Sequence, residues 1–104
     1  MYIYSIYNRL SLIFRVELSK EVVKQLHRVP KHVVAKLLAW VDDVEARGLD
    51  EVRKVPGFND HPLKGELAGM RAIRLSKQWR ATYVVTVKGT AEFVLVEEVH
   101  PHDY

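Results

Sequence analysis

Two stretches of the chain concentrate side chains that can move protons beside an anion. "HPLKG" sets His61 and Lys64 three residues apart with Pro62 restricting the backbone between them, and "HPHDY" gathers His100, His102, Asp103 and Tyr104 after the last apolar run. Arg74 and Arg80 lie between the two. Histidine titrates near neutrality and serves as base or acid, arginine stays charged and grips phosphate with a fork of donors, and tyrosine stacks on a base or assists proton transfer. Each residue alone has an ordinary reading as a loop histidine, a solvated cation or a polar tail. Together they suit metal-free RNA cleavage, which needs a base for the 2′-hydroxyl, a cation for the charge growing on the phosphorane and an acid for the leaving 5′-oxygen. The competing use of His61, His100, His102 and Asp103 is a metal site. With no cysteine and no helical His-x-x-x-His spacing, neither a metal nor another cofactor is expected.

Charge is polarised along the chain. The formal net charge is +3, but residues 53–80 hold Arg53, Lys54, Lys64, Arg71, Arg74, Lys77 and Arg80 against Asp60 and Glu66, seven cations to two carboxylates. Lys54, Lys64, Arg71, Arg74 and Lys77 are therefore candidate contacts to an RNA backbone. Asp42, Asp43, Glu45, Asp50 and Glu51 gather instead in the preceding helical region. At 104 residues and 48% apolar, the chain has material for one domain with one core, predicted over residues 1–104, with residues 1–10 as an apolar N-terminal extension. No apolar run reaches the length of a membrane span, and the first residues lack a signal-peptide pattern. A soluble, cytoplasmic protein is expected.

The elements that must position these residues follow from periodicity. "SLIFRVELS" alternates as a strand, Ser19 is a suitable N-cap with Glu21 in the first turn, and Val22, Val23, Leu26 and Val29 keep helical spacing up to Pro30. Val33, Val34, Leu37, Leu38, Val41 and Val44 predict a longer helix that Gly48 ends, and "LDEVRKV" adds one turn capped by Asp50. After the loop "PGFNDHPLKGELAG", the segments "MRAIRLS", "WRATYVVTV" and "EFVLVEEV" alternate, separated by links short enough for hairpins. The expected fold class is α+β: β-α-α-β-β-β, with a helical pair packed on one face of a mainly antiparallel sheet. If Ile73 and Leu75 face the helices, Arg74 faces away with Met70 and Ala72. Arg80, Thr82 and Val84 join that open face, while Trp79, Ala81, Tyr83 and Val85 take the core. Trp40 also reads as core, and His27 and His32 as surface residues.

The run "HPLKGELAGMRAIRLSKQWRATYVV" followed by "VLVEEVHPHDY" resembles the RelE/ParE superfamily of bacterial type II toxins, most closely the HigB-like and YoeB-like mRNA interferases. The resemblance covers roughly residues 16–104 and is strongest from His61 onward. It implies a RelE-like, microbial ribonuclease-like fold in the element order given above. It implies a ribosome-dependent endoribonuclease that cuts mRNA in the A site without a cofactor, and a cognate antitoxin protein as partner. By position, His61 falls where these toxins carry a functional histidine or acidic base, and Lys64, Arg74 and Arg80 match phosphate-contacting positions. His102, Asp103 and Tyr104 match the C-terminal cluster, with Asp103 inserted between histidine and tyrosine. The implied catalytic set is His61, Arg80, His102 and Tyr104, with His61 and His102 able to exchange the roles of base and acid. The rivals are a ParE-like gyrase poison with the same fold and a non-catalytic RNA-binding module.

Overall fold

The computed structural model describes residues 13–89 and 91–101. The predicted extension over residues 1–10 and the tail residues His102, Asp103 and Tyr104 lie outside the described residues.

Strand β1 (Val16–Leu18) runs into α1 (Lys20–Gln25), and Pro30 opens the 17-residue α2 (Lys31–Arg47). Ser19 caps α1 as its type dictates: its hydroxyl accepts from the Val22 amide at 3.1 Å and donates to the Glu97 carbonyl at 3.1 Å. Along α2 the residues Val33, Leu37, Trp40 and Val44 recur at helical spacing and are all fully buried. Gly48 ends the helix with φ of 88° and starts the short α3 (Leu49–Val52), so the extra turn begins one residue past Gly48 rather than from a cap at Asp50. A Cβ on Gly48 would lie 3.1 Å from the Phe14 ring, a second reason for glycine there.

A 3₁₀ turn at Pro56–Phe58 leads to β2 (His61–Pro62), a two-residue strand that alternation cannot signal. Strands β3 (Arg71–Arg74), β4 (Trp79–Lys88) and β5 (Ala91–Pro101) follow as an antiparallel meander. The sheet order is β1-β5-β4-β3-β2, with β1 parallel to β5 and every other neighbouring pair antiparallel. The helices cover one face, where Val22, Leu37, Trp40, Val44, Leu49 and Val52 meet Ile73, Ala81, Tyr83, Val94, Val96 and Val99. Trp40 and Tyr83 sit at its centre with ring centroids 5.2 Å apart.

A bulge in β5 matters for the other face. Tyr83 pairs with Val96 but Thr82 pairs with Glu98, leaving Glu97 as the extra residue. Val96 and Val99 therefore both turn inward although three residues apart, and the face that β5 presents beyond the bulge is reset. His100 comes to lie directly opposite Arg80.

Candidate active-site groove

Register brings the basic residues together. Arg74 on β3 pairs with Arg80 on β4, and Arg80 pairs in turn with His100 on β5, so three potential cations line up across adjacent strands. His61 pairs with Ala72, two residues before Arg74 on the same face of β3. Ala72 and Thr82 are buried on this face, beneath the longer side chains around them.

An open groove of about 310 Å³ is lined by Asn59, His61, Ile73, Arg74, Ser76, Lys77, Trp79 and Arg80. Its walls are the segment entering β2, the end of β3, the β3–β4 turn and the start of β4. The turn holds its shape through Ser76, whose hydroxyl accepts from the Gln78 and Trp79 amides at 3.3 and 3.2 Å. Trp79 packs half-buried against the core and also forms part of the groove wall, a double role that alternation did not reveal. The groove thus joins a histidine, three cations, an indole face and the exposed carboxamide residue Asn59.

His61 is oriented by a 2.7 Å hydrogen bond between its Nδ1 and the Asn59 carbonyl. A carbonyl accepts and never donates, so Nδ1 carries the proton and Nε2 of the neutral ring is the basic nitrogen. Asn59 itself adopts a left-handed conformation, φ 46°, at the end of the 3₁₀ turn. Asparagine is among the residues that tolerate it.

The other candidates from the sequence stand elsewhere. Arg71 lies on the helix side of β3, half-buried, with its Nε donating to the Asp60 carboxylate at 2.6 Å. Burial opposes the Arg71 charge, but the Asp60 carboxylate outweighs it and raises the guanidinium above its ordinary value. Lys54 is exposed after α3, held by Glu51 at 2.8 Å. Lys64 is exposed in the loop before the second 3₁₀ turn (Gly65–Leu67), outside the groove lining. His100 belongs to β5 rather than to a tail after the last strand, its Nδ1 donating to the Pro101 carbonyl at 3.0 Å. Asp60 was also missed. Its side chain has no exposed surface, and its other oxygen accepts from the Tyr83 hydroxyl at 2.6 Å. Among the described residues no three His, Asp or Glu side chains come together to hold a metal ion, and no helix is long and apolar enough to cross a membrane.

No family model matches the sequence, and a search of curated proteins finds no relative. Solved structures do match. The YoeB/ParE toxin from Agrobacterium tumefaciens superimposes with a TM-score of 0.64 at 17% identity, over 86% of this chain and 99% of that one. YafQ from E. coli strain BL21(DE3) gives 0.62 at 18% identity over 84% and 91% of the two chains. In the RelBE2 toxin–antitoxin complex from Mycobacterium tuberculosis the values are 0.54 and 22%, over 88% and 100%. The chain therefore has the fold of the RelE/ParE toxins, a few helices on one mixed five-stranded sheet.

Proposed function

We propose that the chain is the toxin of a toxin–antitoxin pair and cuts mRNA on the ribosome at the groove described above. The observation that carries this reading is the convergence of His61, Arg74, Lys77 and Arg80 on one open groove, in a fold shared with proteins described as toxins. His61 Nε2 takes the proton of the 2′-hydroxyl, the 2′-oxygen attacks phosphorus, and the bond from phosphorus to the 5′-oxygen breaks. Arg80 and Arg74, with Lys77, balance the charge on the non-bridging oxygens. The leaving 5′-oxygen receives its proton from the C-terminal cluster, for which His102 is the acid and Tyr104 and Asp103 are positioning groups. The partner that restrains such an enzyme is an antitoxin with acidic residues over the basic face, and it binds less tightly as salt rises.

Purified protein added to ribosomes programmed with a defined mRNA tests the reading. Cleavage that requires the ribosome, with gyrase supercoiling untouched, is the expected result. Loss of supercoiling with intact mRNA would assign the chain to the gyrase poisons instead, and RNA binding with neither effect would make it a non-catalytic module.

A further inference from the structure

A carboxylate with a fully buried side chain lies next to the groove residue Asn59. Asp60 has a side chain with no exposed surface, yet it bears a carboxylate. Its oxygens accept from Arg71 Nε on β3 and from the Tyr83 hydroxyl on β4, both at 2.6 Å, and Arg53 Nε beyond α3 donates to the same Tyr83 oxygen at 3.3 Å. Distances of this length mark charge-assisted bonds. A buried carboxylate is costly without such partners and rigid with them. Four segments are tied at this one point: the turn after α3, the approach to β2, β3 and β4.

The groove is served by the same peptide. The carbonyl that fixes the His61 ring belongs to Asn59, in the peptide unit that joins Asn59 to Asp60. Strand β2 itself is too short to hold that unit, having two residue pairs with β3 and, among the described residues, no strand on its other side. We propose that Asp60 is a positioning residue of the proposed active site: its buried clamp to Arg71 and Tyr83 fixes the Asn59 carbonyl and thereby holds His61 in the tautomer that leaves Nε2 as base. The kinetic consequence rests on the cleavage reading above; the structural one does not. Asparagine at this position is neutral and presents one acceptor and one amide donor, so the ion pair to Arg71 is lost and one of the two bonds must open or reverse its direction.

The experiment uses Asp60→Asn, and Tyr83→Phe as a milder variant that keeps the Asp60–Arg71 ion pair. The His61 imidazole is followed by long-range proton–nitrogen NMR at alkaline pH, with its signals assigned by their loss in His61→Ala. Wild type is expected to show the Nδ1-protonated ring. Asp60→Asn is expected to show a mixed or Nε2-protonated ring, and Tyr83→Phe a smaller change in the same direction. In the ribosome assay Asp60→Asn is expected to lower kcat about tenfold or more with KM within about twofold, and to add nothing in a His61→Ala background. An unchanged His61 tautomer in a folded Asp60→Asn or Tyr83→Phe protein overturns the proposal, as does a loss that multiplies with that of His61→Ala. If the wild type cleaves no mRNA, the cleavage reading fails, while the NMR result still decides whether Asp60 positions His61.

Discussion

Arg74 and Arg80 stand opposite one another on adjacent strands, so two like charges face each other at the groove proposed to hold a phosphate. Their Cβ atoms are about 5 Å apart by virtue of the pairing, and the guanidinium ends can splay to roughly 7 Å. At that distance two unit charges in water repel by about 0.6 kcal/mol. Salt at about 0.1 M roughly halves this value, and 1 M salt removes nearly all of it. Arg74→Gln keeps the polar stem and removes one charge; the hydrogen bond it sacrifices, from Arg74 Nε to the Ser76 carbonyl, is exposed and long at 3.3 Å. The expected outcome is a gain of about 0.5 kcal/mol at low salt, a rise in Tm of roughly 2–4 °C for a domain of this size. On the proposed cleavage reaction the same change would also remove a charged donor to phosphate worth about 1.5–3 kcal/mol, so cleavage should fall roughly tenfold to a hundredfold. Thermal melts at low and high salt, paired with the ribosome assay, read both effects. A lower Tm at low salt, or a gain that persists in 1 M salt, would refute the electrostatic reasoning.

Two further perturbations probe the scaffold. Gly48→Ala forces a side chain into φ 88° and against the Phe14 ring, so urea denaturation should show a loss of about 1–3 kcal/mol. Burial, and then the bond to Asp60, raise the Tyr83 phenol well above its ordinary value, so it keeps its proton where the unfolded chain loses one. The stability tied to that difference is complete below about pH 10 and is lost as the pH climbs above it; stability measured across that range should decline less steeply in Tyr83→Phe than in wild type.

Capping and periodicity made most of the fold legible. Ser19, Pro30 and Gly48 mark helix boundaries by their own chemistry, and the alternation of Ile73 and Leu75 with Arg74 sets the face of β3 without tertiary information. That alternation also turns Arg71 inward with Ile73, an implication that grouping by charge obscured. What the sequence withheld depends on partners distant along the chain. Asp60 is buried because Arg71 and Tyr83, 11 and 23 residues away, reach it, and nothing around Asp60 announces this. The two-residue β2 carries no period to detect. The parallel seat of β1 beside β5 pairs strands from opposite ends of the described chain, and the Glu97 bulge that brings His100 opposite Arg80 breaks the alternation by which faces are read. In the groove, Arg74 and Arg80 could be placed from strand period alone. Asn59, Ser76 and Trp79 could not, because the β3–β4 turn and the approach to β2 meet only in the folded chain.

If His61 begins a transesterification at the groove, the chemistry of the cut RNA ends must show it. Ribosome-bound mRNA treated with the protein should yield a 2′,3′-cyclic phosphate and a 5′-hydroxyl. His61→Ala should lower the rate by about a hundredfold or more, the scale of a lost general base, while melting as the wild type does. A 3′-hydroxyl with a 5′-phosphate, or a His61→Ala rate within about threefold of wild type, would exclude His61 as the base of a 2′-hydroxyl attack.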